Sequence, residues 1–259
     1  MGRPAGPNVI AREPEPVLSR FPEPLRRDIY ENRCLPIIGA GFSRNAILPA
    51  GAAMPLWSDV GKSLARACGY DNSDPADAAS EFERRRGRQG LADELRRLIQ
   101  VGVATPGPVH QSFCRLPFDV VCTTNWDALI EDGYRSVGHA FRVASRDSQL
   151  AIGTRPGSTL LVKFHGDLDD PESLVVTEQD YDGFTQERPL MATYVSGLLI
   201  VRTALFIGFS TDDPDFRQLW QVLSGRLGRL RRQAYALTVA VSTGRRARLE
   251  RRAIQVIDV

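Results

Sequence analysis

Apolar residues in this chain gather in short runs separated by amphipathic stretches. Leu35-Pro36-Ile37-Ile38, Val120-Val121-Cys122, Leu160-Leu161-Val162 and Leu205-Phe206-Ile207 are aliphatic or β-branched and of strand length. Weaker strand signals follow at Phe141-Arg142-Val143, Tyr235 to Val241 and Ile254 to Val259. Between them the apolar spacing turns helical. Helices are predicted from Pro22 to Tyr30, through Trp57, Val60, Leu64 and Ala67, over Ala76 to Arg85 behind the Asp74-Pro75 start signal, and along Leu91, Leu95, Leu98 and Ile99. Others run over Val109 to Leu116, Trp126 to Val137, Pro189 to Arg202 and Asp213 to Leu223. This alternation predicts an open α/β sheet. Several helices in succession over Ala53 to Thr105 break the alternation and read as a helical insertion forming a small second lobe over the site. Residues 1–21, rich in Pro with no periodicity, read as a flexible N-terminal arm, which leaves 22–259 as the folded domain. The apolar run at Ile254 to Val259 is either an edge strand at a true terminus or the point where more protein follows.

Four strands are each followed by a small, chemistry-bearing turn: Gly39-Ala40-Gly41-Phe42-Ser43, Thr123-Thr124-Asn125-Trp126-Asp127, Lys163-Phe164-His165-Gly166-Asp167 and Gly208-Phe209-Ser210-Thr211-Asp212. All four would lie at the carboxyl edge of the sheet, where open α/β proteins bind ligands. Gly39-x-Gly41 offers backbone amides and a helix start to a phosphate. The dinucleotide fingerprint is incomplete, since its third glycine would fall on Arg44. Gly61-Lys62-Ser63 imitates the end of a P-loop, with Leu56 where the first glycine belongs and no strand before it. Gly41-x-Ser43 and Gly208-x-Ser210 are half nucleophile elbows whose last glycine is replaced by Asn45 and Asp212. Of the three histidines, His165 stands at a strand end facing the expected cleft, whereas His110 and His139 lie outside such turns and read as structural. Asn125 directly precedes a predicted helix, so an N-cap role competes with a catalytic one.

Composition narrows the class. With 259 residues, 42% hydrophobic and 25% charged, the chain is an ordinary globular protein with material for a sizeable core. No apolar stretch approaches the ~20 residues that span a bilayer, and the amino terminus lacks a secretory signal, so a cytoplasmic protein without membrane contact is expected. Cys34, Cys68, Cys114 and Cys122 form no C-x-x-C pair, which removes zinc-ribbon and redox motifs and leaves no metal expected. A net charge of +2 argues against a nucleic-acid coat. Nine arginines against Glu250 between Arg226 and Arg252 are either a solvated face or a local footprint for nucleic acid or an acidic partner.

Taken in order, the four turns resemble the sirtuin fold and, more closely, the sirtuin-like NAD hydrolases of prokaryotic anti-phage defence, with Thr177-Glu178-Gln179-Asp180-Tyr181 adding to the likeness. The resemblance covers about residues 24–241. It implies a Rossmann-type parallel sheet with an inserted helical lobe and NAD bound between them as substrate. It further implies cofactor contacts from Gly39, Ala40, Gly41, Phe42 and Ser43 on the phosphates, from Thr124 and Trp126, and from Gly208, Phe209 and Ser210 on the adenosine side. Asn125 and His165 are implied as catalytic. Asn125 would position water or the ribose hydroxyls, His165 would serve as general base, and Asp127 would orient the loop, assist at the ribose or stabilise a helix start. The four-cysteine zinc module of the protein-deacetylating sirtuins is missing from this sequence.

NAD cleavage to nicotinamide and ADP-ribose by a defence effector that depletes NAD on activation is therefore the expected function. A non-catalytic NAD or ADP-ribose sensor is the alternative from another class, and an NAD-dependent protein deacylase a further one. Likeness to the defence group also implies an activating partner protein or fused sensor domain and a homo-oligomer, with nucleic acid reached through a partner or weakly through Arg226 to Arg252.

Overall fold

The computed structural model describes residues 17–209 and 232–259, together with Trp220, Gly225 and Gly228 between them. Seven strands form one sheet: β1 (Cys34–Ile38), β2 (Val120–Thr123), β3 (Phe141–Ala144), β4 (Thr159–Lys163), β5 (Thr203–Ile207), β6 (Ala234–Thr238) and β7 (Ile254–Asp258). Their order is β3-β4-β2-β1-β5-β6-β7 and every pair is parallel. The α/β, Rossmann-type parallel sheet expected from the sequence is thus present. From β1 the chain builds β2, β3 and β4 on one side, with β4 inserted between β2 and β3, and then β5 to β7 on the other, which opens a crevice at the carboxyl end of β1. Along β1 the ladder to β2 begins only at Ile37, beyond Pro36, whose nitrogen carries no hydrogen to donate.

The helices are α1 (Glu23–Tyr30), α2 (Ala40–Ser43), α3 (Trp57–Cys68), α4 (Pro75–Leu98), α5 (Pro108–Cys114), α6 (Leu129–Ser136), α7 (Asp147–Leu150), α8 (Glu178–Glu187), α9 (Pro189–Val201) and α10 (Thr243–Arg251). A 3-10 turn, Val17–Arg20, precedes them, and Arg20 Nη1 donates to the Asp258 carbonyl, so the first described residues meet β7. Alternate strand residues face opposite layers. Leu35, Ile37, Leu160, Val162, Ala204 and Phe206 pack with Met191, Val195 and Leu199 of α9. Cys34, Ile38, Val121, Leu161 and Leu205 pack on the other face with Leu25, Phe113, Ile130 and Tyr134 from α1, α5 and α6.

Apart from these layers, α3 and α4 pack on each other around Leu64, Ala78, Phe82, Leu91 and Leu95. The two helices read at Ala76 to Arg85 and at Leu91 to Ile99 are both present; they follow one another within α4 and are divided at Gly87, whose φ of 74° is non-helical and favours glycine. Arg96 ties this hairpin to the Leu168 carbonyl, and Arg88 ties it to Pro171 and Leu174.

Two expectations shift, and two helices carry no signal in the sequence. The helix read from Trp126 starts at Leu129, because residues 124–128 form the loop and bend that carry Asn125 and Asp127 to the site. The strand read to Val241 ends at Thr238, with Val239 exposed and Ala240 at a φ of 50°. Helices α8 and α10 carry one buried apolar residue each, Tyr181 and Leu249, too few for a periodic signal. The helix expected at Asp213 to Leu223, Ser210 and Arg226 to Arg231 lie outside the described residues, apart from Trp220 and Gly228.

Candidate active site

Carboxyl ends of β1, β2, β4 and β5 converge on the crevice. Two glycine turns lock there. Gly41 N donates to Gly208 O at 2.8 Å, Gly39 N to Ile207 O at 2.9 Å, and Phe42 N to Gly39 O at 2.9 Å. These amides, read from the sequence as phosphate donors, are therefore engaged within the protein. The glycines are needed for close approach, since a Cβ on Gly41 would stand 2.7 Å from Gly208 O, and one on Gly208, at φ +74°, would stand 2.3 Å from Phe42 N. Phe42 turns its ring into the core, edge-on to Phe113 and His110. Phe209 packs edge-on against Phe206, and its carbonyl accepts from Arg245 Nη2 at 2.7 Å.

Beside this lock lies a cleft enclosing about 500 Å³ of empty space, part of it open to solvent. Ala40, Ser43, Thr124, Asn125, Trp126, Asp127 and His165 line it, so the strand-end residues from β1, β2 and β4 share one wall. Gly39, Gly41, Phe42, Gly208 and Phe209 are not in that wall. The opposite wall is apolar: Met54, Pro55, Trp57, Val60 and Ile99, from α3, the end of α4 and the loop before α3. Sequence reading placed Trp57 and Val60 on a helix face without assigning them to the site. Nothing local in the sequence marks them; only the fold brings Trp57 edge-on to Trp126, with ring centres 5.1 Å apart.

Asn125 is fixed from several sides. Its Nδ2 donates to Gly39 O at 3.2 Å and to Ser43 Oγ at 2.8 Å, and its backbone N donates to Thr123 Oγ1 at 3.0 Å. A carbonyl can only accept, so the amide orientation is determined and Oδ1 is the atom left over. That oxygen is buried with no hydrogen-bond partner, as is Trp126 Nε1. A buried unsatisfied polar atom costs about 1–3 kcal/mol, which a ligand would relieve. Ser43 passes the chain on by donating to Asp127 Oδ2 at 2.7 Å, while Asp127 Oδ1 accepts from Leu129 N at 3.1 Å. Ala128 is the N-cap of α6, Asp127 just before it bonds the first helical amide in place of Asn125, and both of its carboxylate oxygens are in use.

His165 is 6% exposed and meets Tyr181 edge-on, ring centres 5.5 Å apart. The Thr177-to-Tyr181 motif explains this contact: Thr177 Oγ1 accepts from Asp180 N, Asp180 Oδ2 accepts from Thr177 N, and the capping box sets α8 with Tyr181 on the ring. Burial, and after it the Arg188 guanidinium, push the His165 pKa down to about 3, against a smaller upward pull from Asp180. The imidazole is therefore neutral at physiological pH. Gly166, at φ +81°, brings the chain so close to Ser173 that a Cβ would lie 1.8 Å from its carbonyl oxygen. His110 is fully buried behind Phe42, its Nδ1 accepting from Gly107 N and its pKa lowered by burial. His139 bonds Thr159. Both are structural.

The P-loop likeness loses its basis. Gly61-Lys62-Ser63 lies inside α3, with Gly61 packed on Pro75. Among the described residues no group of His, Cys, Asp and Glu has the geometry of a metal site, and no helix is long and apolar enough to cross a membrane. Within the arginine-rich segment, Arg232 reaches Val201 O and Asp28, Arg245 reaches Phe209 O, and Arg246 reaches Asp258, so these arginines hold the fold.

Comparison with known proteins agrees with this geometry. Residues 119–257, which include Asn125, His165 and Gly208, match the SIR2-like domain family. A protein named NAD(+) hydrolase ThsA from Acinetobacter baumannii is 27% identical over 216 residues, 82% of this chain and 43% of the relative. Its namesake from Cytobacillus dafuensis is 28% identical over 210 residues, 78% of this chain and 40% of the relative. Defense-associated sirtuin 2 of Bacillus subtilis is 29% identical over 137 residues, 52% of this chain and 13% of the relative. The chain thus spans less than half the length of these relatives. With the parallel sheet, the strand-end asparagine and histidine and the family match in agreement, this chain belongs to the SIR2-like domain family.

Proposed function

We propose that this domain hydrolyses NAD at the bond between nicotinamide and ribose, giving nicotinamide and ADP-ribose. The observation that carries the reading is Asn125: both of its Nδ2 hydrogens are committed to the protein, and its Oδ1 is a buried, unfilled acceptor in a residue of the cleft wall. An acceptor fixed in this way suits a hydroxyl donor, which a ribose or an attacking water supplies. The names of the ThsA relatives, NAD(+) hydrolases, support the same substrate.

Nicotinamide in NAD is already a pyridinium, so its departure needs little acid catalysis. The C1′–N1 bond breaks with its electron pair going to the ring nitrogen, the water oxygen bonds C1′, and the surplus proton goes to solvent. The protein positions these groups and stabilises the positive charge that develops on the ribose, as in glycoside cleavage. Asn125 Oδ1 holds the ribose hydroxyl or the water. The general-base role expected of His165 is replaced by a neutral one. A base of pKa about 3 gains few protons at neutral pH, but an uncharged imidazole orients water by hydrogen bonding without repelling the cationic centre. Asp127, held by Ser43 and Leu129, acts through them as a positioning residue. The apolar wall of Met54, Pro55, Trp57, Val60 and Ile99 receives the nicotinamide ring and keeps bulk water out.

The Bacillus subtilis relative is named a defense-associated sirtuin, and NAD depletion by a defence effector is the role proposed here. An activating partner or fused sensor domain, a homo-oligomeric state, and adenosine contacts from Gly208, Phe209 and Ser210 belong to the same reading. It is tested by following nicotinamide and ADP-ribose release from NAD by the purified chain and its Asn125→Ala variant. Equal release of both, lost in the variant, is expected. NAD bound without cleavage both by the chain alone and by the chain with its activating partner would replace the hydrolase by a sensor.

A further inference from the structure

We infer that Lys163 is a positioning residue of the site, its ammonium joining the loop that carries Asn125 to the turn that carries His165. The inference rests on the hydrolase reading for its kinetic consequence and on geometry for the rest. Lys163 closes β4, two residues before His165, and its side chain is fully buried. Its Nζ lies 2.8 Å from Glu131 Oε1 on α6 and 3.0 Å from Asp167 Oδ2, just past the histidine. It also donates to the carbonyls of Asp127 at 3.0 Å and Trp126 at 3.2 Å. Four acceptors from three segments therefore surround a group with three hydrogens, and two are backbone oxygens of the residues directly after Asn125.

The choice of lysine is informative. The chain has 33 basic residues and only two are lysines, Lys62 on the surface and Lys163. A compact ammonium donates in three directions, whereas the planar guanidinium used everywhere else donates in one plane. Burial works against the Lys163 charge, but the attraction of Glu131 and Asp167 outweighs it and holds its pKa above the ordinary lysine value. Burial pushes the Glu131 carboxyl up, with Lys163 pulling it back in part. A buried ion pair of this kind is weak as a source of stability. Its return is orientation: Asn125 Oδ1 and His165 are carried on different strands, and this ammonium bonds the segments following both.

Removing Lys163 alone would leave Glu131 buried without a partner, so the test uses the double variant Lys163→Met/Glu131→Gln, with Lys163→Arg beside it. Asp167, 20% exposed, keeps access to water. Amide exchange over residues 124–129 and 165–167 is read by mass spectrometry, alongside kcat and KM for NAD. The expected result is exchange at least about 10-fold faster in both segments, with the sheet strands unchanged. In the same folded double variant kcat falls about 100-fold while KM moves less than about 3-fold. Lys163→Arg keeps the charge and does not restore kcat. Unchanged exchange in both segments, or kcat near wild type in the folded double variant, overturns the inference. Wild-type protein that leaves NAD intact even with its activating partner removes the hydrolase reading instead, and the exchange experiment still decides for or against Lys163.

Discussion

His165 makes a quantitative prediction that needs no substrate. Its pKa in the folded protein is about 3, against about 6.5 for an exposed histidine. Between those values the unfolded chain binds a proton at this position and the folded chain does not, so stability falls as pH falls. The contribution is fully present above pH 6.5 and declines at up to about 1.4 kcal/mol per pH unit below it. From pH 7.5 to pH 5.0 the two constants give a loss of about 2 kcal/mol from this one group, and about 5 kcal/mol over the whole interval. The perturbation is His165→Gln, which cannot titrate and keeps a polar side chain. Urea unfolding at both pH values isolates the term, because His110, also lowered by burial, is common to both proteins. Wild type should lose about 2 kcal/mol more than the variant. Equal losses in the two proteins would show that His165 is solvated or charged in the fold, and the neutral role assigned to it would fall.

Three further outcomes follow from the same geometry. kcat/KM for NAD should show no ionisation near pH 6.5 belonging to His165, and a His165→Gln profile of unchanged shape between pH 5 and 8 checks this. Gly208→Ala should lower the melting temperature by far more than Gly138→Ala. Both glycines have positive φ, but only at Gly208 does a Cβ meet backbone, so Gly138→Ala costs about 1 kcal/mol and Gly208→Ala considerably more. Asp127→Asn should lower kcat about 10-fold without abolishing it, since an amide oxygen still caps Leu129 while the Ser43 hydroxyl loses a charged acceptor; steady-state kinetics decide.

Strands buried on both faces were legible because each is a continuous apolar run, and the turns after β1, β2, β4 and β5 were legible because each carries small or polar residues where such a run stops. That placed Asn125 and His165 at one sheet edge. What the turns do for one another was hidden. The Gly39 and Gly41 amides look like phosphate donors until the carbonyls of Ile207 and Gly208, distant in sequence, are seen to accept from them. Lys163 sat inside a motif quoted for its histidine, and its partner Glu131 is on a helix whose start was misplaced by three residues. Local pattern carried no information about that ion pair, because burial and charge pairing across segments are tertiary properties. The apolar wall of the cleft was hidden for the same reason: Trp57 and Val60 read as an ordinary helix face until α3 is seen over Trp126.

The most direct test of the hydrolase reading is a time course of nicotinamide and ADP-ribose released from NAD by the purified chain, with Asn125→Ala measured in parallel. The account predicts the two products in equal amounts, and their loss in a variant that remains folded. NAD held in the cleft with no nicotinamide released even when the activating partner is present, or release undiminished in Asn125→Ala, would contradict it.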